Sequence, residues 1–570
     1  MAEETTAKPG WRELAGALRH PKTIYMLLFG FAAGLPYSLV LGTLYAWLTE
    51  AEVDLETMGV FSLIGLAYAF KFLWSPALDR IDIPVLKRLG HRKQWIVTAQ
   101  VLIGVCLLTL SVLNPSTQLG WFSLLAGLAA FASATQDIVI DAWRVDVADE
   151  VATIDILSTI YQMGYRLAAL AGGALALIIA ARIGWPTTYA IFGGTIFLIG
   201  LIGIRAPDAR RTTDQIEAAS AELDALRQPG QLTPRVRKTA LAIIGSLWGV
   251  ALLIVGTFMV MSLSSDPEAR PDSVVFITWW GPIIMAATIV LPALIAAWLV
   301  RRQRRGVDVL HEPAPASTGG ERAMDFGYRA LVLPLTEIIG RLGSSAMLVI
   351  SLVLTYRICD AIWGSFAYPF YLGELNYTND EVAVASKFFG VGALILGLAL
   401  GGVLLTLIGR MAALTLGALV AALTNLLYAD LAIGGATMQA VSDAIGFTAL
   451  VTSFPGGSPA LAKLMITIAG ENLAVGLAGA AFVAYLSSIV AKGYSAVQYA
   501  LLSSLALLVG TLGRAPLGQL IEEQGYYFVF ILTTGIGMIA FVLCLVEWMR
   551  QRREGGRGIQ NAPPPEADFA

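Results

Sequence analysis

The sequence predicts an all-α membrane protein in which two bundles of six transmembrane helices flank a two-helix hairpin, fourteen helices in all. Three observations lead to this fold class. Hydrophobic residues make up 56% of the 570-residue chain and charged residues only 14%, against about 25% charged in soluble domains. Fourteen apolar runs approach the length of about 20 residues that crosses a bilayer. Lys and Arg concentrate in alternate connections, which is the pattern of the positive-inside rule.

The first bundle is predicted over residues 23–205. Its six apolar runs begin near Thr23, Met58, Gln94, Trp121, Ile156 and Pro186. Residues 1–22 lack the charged first region and the small-residue cleavage site of a signal peptide, so we expect a cytoplasmic amino terminus and an uncleaved first span.

Two polar linkers enclose the predicted hairpin, residues 239–301. The first linker, 206–238, is rich in Arg, Asp, Glu and Ala, and a short surface helix is expected over 213–227. The second linker, 302–346, carries the Pro, Gly and Ser of an unstructured connection, and an interfacial helix is expected around Tyr328 to Arg341.

The second bundle is predicted over residues 347–550, with a disordered cytoplasmic tail at 551–570. Its six spans begin near Met347, Val382, Met411, Pro459, Ser495 and Tyr527. The apolar segment 431–458 resembles an additional span, but it contains Asp443 and a PGGSP break. An extra span would also move the basic cluster around Arg550 outside. We therefore predict a periplasmic loop at 431–458, containing an interfacial helix.

The basic residues give the orientation of the chain. Predicted outer loops hold little beyond Arg182 and Arg270. The predicted cytoplasmic connections hold Lys87, Arg88, Arg92, Lys93, Arg210, Arg211, Arg301, Arg302, Arg304, Arg305, Arg410, Arg550, Arg552 and Arg553. Both termini and both linkers are thus expected in the cytoplasm.

Six plus six helices around a cytoplasmic connection is the arrangement of the major facilitator superfamily, in which two halves rock about a site at the membrane midplane. The loop after the second span, Asp79-Arg80 followed by Gly90-His91-Arg92-Lys93, resembles the loop signature of that superfamily. This resemblance implies a gating role for Asp79, Arg80 and Arg92.

Several kinds of chemistry lack support in the sequence. The three cysteines lie in apolar runs without metal-ligand spacing, and the three histidines lie in polar connections, so neither a metal site nor a disulfide framework is predicted. There is no phosphate-binding loop and no nucleophile elbow, and no basic and aromatic surface for nucleic acid. An ion gradient is the expected energy source, without a cofactor, and a transported proton must bind a carboxylate.

The segment from Ser133 to Val147, SATQDIVIDAWRVDV, places charge inside the fourth span. Asp137 and Asp141 are four residues apart and share one helical face with Gln136 beside them, whereas Arg144 and Asp146 are expected at the water-facing end. A charge at the centre of a span costs about 2.5–3.5 kcal/mol. Asp137 should therefore face a protein interior or a water-filled cavity.

Three charges share one predicted depth in the first bundle: Lys71, Asp137 and Arg166 lie eight to ten residues from the cytoplasmic face. The second bundle adds Arg357, Asp360, Lys387, Glu471 and Arg514. Together with Asp141, these residues comprise five bases and four acids. The excess of one positive charge suits an anionic substrate. The alternative is that these groups only form ion pairs between helices and gates.

Aromatic side chains accompany these charges: Tyr37, Tyr45, Trp47, Tyr68, Tyr161, Tyr165, Trp363, Tyr368 and Tyr371. Rings stack on the apolar faces of sugars, but Tyr and Trp also populate membrane interfaces.

Several segments together resemble the AmpG family of muropeptide permeases. They are GFAAGLPYSLVLGTLYAWLT (30–49), FSLIGLAYAFKFLWSPALDR (61–80), SATQDIVIDAWRVDV (133–147) and MGYRL (163–167), and less distinctly YRICDAIWGSF (356–366), SKFFGVGALILG (386–397), ENLAVGLAGAAFVAYLS (471–487) and YSAVQYALLSSL (494–505). The hairpin and the 431–458 loop depart from the family pattern. The resemblance implies a bacterial inner-membrane importer, driven by protons, of GlcNAc-1,6-anhydroMurNAc and its muropeptides, serving peptidoglycan recycling and, in some bacteria, β-lactamase induction.

The expected roles follow from this resemblance and from the charges. Proton coupling is assigned to Asp137, Glu471 and Asp360. Substrate binding is assigned to Gln136, Asp141, Lys71, Arg166, Tyr165, Trp47, Tyr45, Arg357, Lys387 and Asn472. The protein is expected to act as a monomer. Two alternatives stay open: a superfamily importer for another bulky anion, such as a nucleotide or coenzyme A ester, and an integral-membrane enzyme that uses Asp137 and Asp141 as acid and base.

Overall fold

The computed structural model describes residues 16, 18–52, 67–68, 70–207, 225–264, 273–313, 319–358, 367 and 369–553. Within these ranges the regular structure is helical, apart from one isolated β-bridge between Leu232 and Val309. Eleven helices among the described residues are long and apolar enough to cross a membrane. The chain is therefore a multi-pass membrane protein.

The predicted count of fourteen spans stays a prediction. The first predicted span is helical, as Pro21–Ser38, Leu39–Thr43 and Leu44–Glu50 in succession. The second is predicted to begin near Met58, and its first part, up to residue 66, lies outside the described residues. The span predicted from Ser495 forms the first part of the helix Ser495–Arg553, which is interrupted at Gly525, where the backbone φ is 76°.

The described part of the first bundle contains six main helices. They are α1 Pro21–Ser38, α2 Ser75–Arg80, α3 Lys93–Leu110, α4 Leu119–Val147, α5 Ile154–Leu170 and α6 Trp185–Gly203. A π-helical turn, Ala171–Leu175, extends α5 into Ala176–Ile183. Helix α1 packs on α5, and α3 packs on α4 and α6.

Glycine makes the contact between α1 and α5 possible. A Cβ atom at Gly30 would overlap the carbonyl oxygen of Tyr161, and one at Gly164 would overlap the carbonyl oxygen of Leu27. These small residues let the two backbones approach closely, which is how helices associate in membranes.

The hairpin and its linkers form a connected unit. Its helices are α7 Pro234–Ser264, α8 Ser273–Met285 and α9 Leu291–Arg304, with a π-helical turn, Ala286–Val290, joining α8 to α9. Two linker helices follow, α10 Gly319–Leu331 and α11 Leu333–Leu342. The helix expected over 213–227 falls mostly outside the described residues.

The interfacial helix expected at 328–341 is divided in the structure. Tyr328 ends up in α10, whereas α11 continues through Gly343–Ser345 into the next helix. A single apolar segment, Leu333–Thr355, results, and it is long enough to cross a membrane. The apolar residues of α11 make this possible because they extend the hydrophobic run of the following helix.

The second bundle contains α12 Ala346–Thr355, α13 Val391–Ile408, α14 Arg410–Ala432, α15 Ala436–Ala444, α16 Phe447–Thr452, α17 Pro459–Ser488 and α18 Ser495–Arg553. Helix α13 packs on α17, and α14 packs on α17 and α18. Helices α15 and α16 occupy the 431–458 segment and are 9 and 6 residues long, too short to span a bilayer.

The two bundles meet along α4 and α5 of the first and α13, α17 and α18 of the second. One buried hydrophobic cluster joins Phe72 and Leu78 to Val497 and Leu501, and another joins Val145 and Ile154 to residues of the second bundle. The hairpin packs beside this seam, because Phe72 contacts Trp248 edge-on at 6.0 Å and α8 contacts α18.

Candidate functional site

Helix α4 presents four buried polar side chains toward the protein interior. Gln136, Asp137, Asp141 and Arg144 are spaced by one, four and three residues, so they form one face of the helix. All four are buried. The helical face predicted for Gln136, Asp137 and Asp141 is thus present, and it is longer than expected.

The position of Arg144 differs from the predicted one. The sequence analysis places it at the water-facing end, but its side chain is 0% exposed. The reason is that α17 and α18 of the second bundle cover the last turns of α4. The guanidinium lies 4.9 Å from the ring centre of Tyr161 and 5.0 Å from that of Tyr499, and Nε donates to Ser487 Oγ at 3.1 Å.

Two ion pairs run along this face. Lys71, on the 3₁₀ turn Lys71–Leu73, lies 3.6 Å from Asp137 Oδ2. One helical turn further on, Arg144 Nη2 lies 3.0 Å from Asp141 Oδ1. We call these four residues the charge ladder. The ladder carries no net charge when all four groups are ionised, which reduces the cost of burying it.

Three of the buried oxygen atoms at the ladder have no hydrogen-bond donor among the described residues: Asp137 Oδ1, Gln136 Oε1 and Asp141 Oδ1, of which the last is ion-paired with Arg144. The amide nitrogen of Gln136 is fixed, because Nε2 donates to the carbonyl oxygen of Ala32 at 2.7 Å. Its Oε1 therefore stays available as an acceptor. Buried acceptors without donors are rare in proteins. Asp137 Oδ1 is therefore suited to take up a proton, and Gln136 Oε1 to accept a hydrogen bond from a substrate hydroxyl group.

Aromatic rings lie next to the ladder. Tyr37 contacts Tyr68 edge-on, with ring centres 5.1 Å apart, and lies 6.4 Å from Tyr165. Tyr165 is half-buried on α5, and its neighbour Arg166 is half-buried as well. Together with Tyr161, which packs on Arg144, these tyrosines are the part of the predicted aromatic set that the structure brings to the charges.

Two of the aromatic residues predicted for substrate binding lie elsewhere along the first helix. Trp47 is buried among Phe122, Trp185 and Tyr189, with ring centres 4.8 to 6.4 Å away. It lies ten residues beyond Tyr37, or about 15 Å along a helix. Tyr45 is half-buried in the same region. The structure therefore does not bring Trp47 to the charge ladder.

The second bundle holds a half-buried carboxylate, Glu471, with two buried tyrosines. Tyr428 OH donates to Glu471 Oε2, and Tyr371 OH and Tyr428 OH are 2.9 Å apart. Tyr428 is missing from the sequence-based site because nothing distinguishes it from an interfacial tyrosine until α14 and α17 are packed together. The adjacent Asn472 donates to the carbonyl oxygen of Ile468 at 2.9 Å, within its own helix.

Three other residues of this bundle were predicted to belong to the site, and only Arg357 has a described side chain. Arg357 is half-buried at the seam, where a Cβ atom on Gly479 would lie 4.0 Å from both Arg357 Nη1 and Gln162 Nε2. Lys387 lies in the π-helical turn Val384–Gly390, but its side chain is outside the described residues. Asp360 is also outside the described residues.

A second charged network lies at the predicted cytoplasmic end of the bundles. Arg92 lies 2.7 Å from Asp79 and 2.7 Å from Asp146, and it donates to Ser495 Oγ at 2.8 Å. All three ionic side chains are buried or nearly so. The network crosses between the bundles, since Ser495 begins α18.

The carboxylate of Asp79 also binds the amino end of α18. It accepts backbone hydrogen bonds from Ala496 at 3.3 Å and Val497 at 2.9 Å. An anion at this position satisfies free N–H groups and is favoured by the helix dipole. We call Asp79, Arg92, Asp146 and Ser495 the end network.

Other contacts hold the same end together. Arg410 of α14 lies 2.8 Å from Asp155 of α5, between the bundles. Arg80 donates to the carbonyl oxygen of Arg329 at 3.3 Å and lies 5.0 Å from the ring centre of Tyr494. The residues predicted to gate the protein therefore gather at one end and contact both bundles.

The described residues contain no group of three or more His, Cys, Asp and Glu side chains suited to hold a metal ion. Cys106 and Cys544 are buried and unpaired.

Comparison with known proteins relates this chain to permeases. The anhydromuropeptide permease of Escherichia coli K12 is 27% identical over 532 residues, which cover 93% of this chain and 80% of that protein. The anhydromuropeptide permease of Escherichia coli O157:H7 has the same identity and coverage. Residues 23–123 match the family model described as acetyl-coenzyme A transporter 1.

Solved structures identify the fold. A double-tryptophan variant of XylE superposes with a TM-score of 0.50 at 12% identity, covering 94% of this chain and 95% of that one. XylE is a proton:xylose symporter of the major facilitator superfamily. The chain thus has the major facilitator fold and is a permease similar to the anhydromuropeptide permeases. It is a transporter rather than the membrane enzyme considered above.

Proposed function

We propose that this protein is a proton-driven permease of the bacterial inner membrane that imports GlcNAc-1,6-anhydroMurNAc and its muropeptides. Substrate would enter from the periplasm and serve peptidoglycan recycling in the cytoplasm. The similarity to the two anhydromuropeptide permeases over nine-tenths of the chain supports this substrate class.

The observation that carries the coupling mechanism is the charge ladder. Asp137 pairs with Lys71 through Oδ2 only, while its buried Oδ1 has no donor among the described residues. A carboxylate held in this way gives up its ion pair with the lysine when it takes up a proton. Protonation of Asp137 would leave Lys71 as a buried cation without its partner, which favours binding of an anionic substrate beside it.

Substrate recognition divides between two kinds of group. Gln136 Oε1 and the rings of Tyr37 and Tyr165 can receive the sugar hydroxyl groups and ring faces. Lys71 and Arg166 supply positive charge for the carboxylates of the peptide, and Arg357 and Lys387 would do so from the other bundle. Sugar contacts are directional and charge attraction is not, so the disaccharide would set the orientation and peptide length would vary.

Alternating access requires a closed end and an open end. Closure at the predicted cytoplasmic end is supported by the end network and by the Arg410–Asp155 pair, because both join the two bundles. We propose that these contacts are the cytoplasmic gate and that inward release requires their separation.

Uptake into vesicles tests the proposed function. Vesicles containing the full-length protein should accumulate labelled GlcNAc-1,6-anhydroMurNAc when the outside is acidic, and its mass should be unchanged on recovery. With one proton for each substrate, one unit of pH difference sustains about tenfold accumulation. Protein-free vesicles are the control, and absence of uptake at any imposed gradient would reject the substrate.

A second substrate class has its own support. The match of residues 23–123 to the acetyl-coenzyme A transporter model points to a coenzyme A ester, and the excess of cations predicted for the cavity is compatible with it. Labelled acetyl-coenzyme A is therefore offered to the same vesicles. Its uptake without uptake of the disaccharide would replace the first proposal by this one.

The orientation of the protein gives another prediction. The basic connections place both termini and both linkers in the cytoplasm, so a periplasmic reporter enzyme fused after Arg553 should stay inactive. The same reporter inserted after Phe454, in the predicted periplasmic loop, should be active. Activity of the fusion after Arg553 would contradict the fourteen-helix topology.

A further inference from the structure

The hairpin carries an apolar groove, part of whose lining is exposed. The groove lies between α7 and α8 and encloses about 520 Å³. Apart from one serine, its lining is entirely apolar: Ala242, Ile243, Ser246, Leu247, Val250, Ala251, Ile254, Ile283, Ile284 and Ala287. Several of these side chains are exposed, among them Val250 at 54% and Ile283 at 55%.

The groove lies at membrane depth. Its α7 side belongs to the apolar segment Pro234–Phe258 and its α8 side to the segment Trp279–Arg304. The two helices are fixed to each other beside it, because Trp248 Nε1 donates to the carbonyl oxygen of Thr288 at 3.0 Å. A fixed apolar groove open to the hydrocarbon of a bilayer is a site for an acyl chain.

Exposed cations lie beyond the groove at one end of the hairpin, on α7 and at the end of α9. On α7, Lys238 and Arg235 precede Ala242 by four and seven residues and therefore lie on the same helical face. On α9, the exposed Leu294 and Trp298 lead to Arg301, and Arg305 follows one turn later. Both sets lie at the predicted cytoplasmic end of the hairpin.

These four cations have no acidic partner among the described residues. Arg302, next to them, pairs with Asp308 at 2.7 Å, and Arg304 donates to the carbonyl oxygen of Gly340 at 2.7 Å. Arg235, Lys238, Arg301 and Arg305 are exposed and make no ion pair with any described carboxylate. Positive charge at one end of an apolar groove complements a molecule with an anionic head and an apolar tail.

We propose that the hairpin groove binds an anionic phospholipid of the cytoplasmic leaflet. The phosphate lies among Arg235, Lys238, Arg301 and Arg305, and an acyl chain lies along the groove between α7 and α8. Basic pockets between transmembrane helices at the cytoplasmic surface recognise such headgroups. Because the hairpin lies beside the seam between the bundles, the bound lipid becomes part of the surface on which the two halves move.

Lipid binding to the purified full-length protein in detergent tests the proposal, by native mass spectrometry and by thermal unfolding. Phosphatidylglycerol is compared with phosphatidylcholine of the same acyl chains. We expect phosphatidylglycerol to bind at least about tenfold more tightly and to raise the unfolding temperature. Equal binding of the two lipids would overturn the proposal.

Two variants separate the headgroup from the chain. The charge variant, Arg235→Gln with Lys238→Gln, Arg301→Gln and Arg305→Gln, should lose the preference for phosphatidylglycerol. The groove variant, Ser246→Trp with Ala287→Phe, keeps all charges and should lose binding of the long-chain lipid. A charge variant that still prefers phosphatidylglycerol to phosphatidylcholine, or a groove variant that still binds the long-chain lipid, would overturn the assigned site.

A matched control has the same change in net charge elsewhere at the predicted cytoplasmic end. It replaces Lys87, Arg88, Arg552 and Arg553 by Gln and should bind phosphatidylglycerol as the unaltered protein does. If it loses binding to the same extent as the charge variant, overall charge rather than a site is responsible, and the proposal fails. Stabilisation by inorganic phosphate equal to that by the lipid would likewise overturn it.

Discussion

Replacing Asp137 by Asn is expected to abolish uphill accumulation of substrate while the protein stays inserted and folded. The amide keeps the size of the carboxylate and can still accept a hydrogen bond from Lys71, but it cannot take up a proton. The proton gradient is then disconnected from transport. The accumulation ratio in vesicles with an imposed pH gradient should fall from about tenfold to about one, while exchange of labelled for unlabelled substrate continues.

The control for this result is a carboxylate outside the membrane. Asp149 pairs with Lys22 at the predicted cytoplasmic surface and is 41% exposed, so Asp149→Asn should change accumulation little. Normal accumulation by Asp137→Asn would contradict the assignment and would move the coupling role to Glu471 or Asp360. Glu471 is then the next residue to replace, because the buried Tyr428 already donates a hydrogen bond to it.

Replacing Arg92 by Gln is expected to open the predicted cytoplasmic gate. Asp79 and Asp146 would lose the cation that both contact at 2.7 Å, and two carboxylates would remain buried together. Removing one partner of a buried pair costs about 3–5 kcal/mol, a cost that is avoided when the end network separates. The equilibrium between closed and open gate should therefore shift by about 100-fold or more.

Labelling of a cysteine measures this shift. Thr159 lies against Gly402 between the bundles and is buried, so Thr159→Cys, in a chain without its three native cysteines, reports when the gate is open. A membrane-impermeant maleimide added from the cytoplasmic side should label it about 100-fold faster in the Arg92→Gln protein.

Arg80 provides the matched comparison. It is next to Asp79 and carries the same charge as Arg92, and it contacts a carbonyl oxygen of α10 and a tyrosine ring. Arg80→Gln leaves the end network intact and should alter the labelling rate only slightly. Equal rates in the Arg80→Gln and Arg92→Gln proteins would show that the end network does not hold the gate.

The sequence was sufficient to predict that Lys71 and Asp137 lie at the same depth in the first bundle. Lys71 and Asp137 share a predicted depth, and the structure brings them to 3.6 Å. Depth can be counted along the chain because each residue adds about 1.5 Å to a helix. The basic residues after 431–458 restrict the number of spans, which is why no span was predicted there, and α15 and α16 are too short to cross a bilayer.

Contacts between the bundles could not be predicted in the same way. Arg144 is buried because Tyr499 and Ser487 cover it, and both are more than 300 residues away in the chain. The pairing of Asp79 with the start of α18 has the same origin. Such contacts depend on how two bundles dock, which local periodicity does not contain. The role of Tyr428 is hidden for the same reason.

The β-bridge between Leu232 and Val309 makes the hairpin a self-contained insert. Backbone hydrogen bonds on both sides of the bridge, from Thr233 to Asp308 and from Leu310 to Gln231, bring the two ends of the insert to adjacent positions, about 5 Å apart as in any antiparallel pair. A gene could therefore gain or lose these helices by a single in-frame event without stretching the chain that connects the two bundles. The bridge thus marks a boundary at which the hairpin could be excised with little strain on the connection between the bundles.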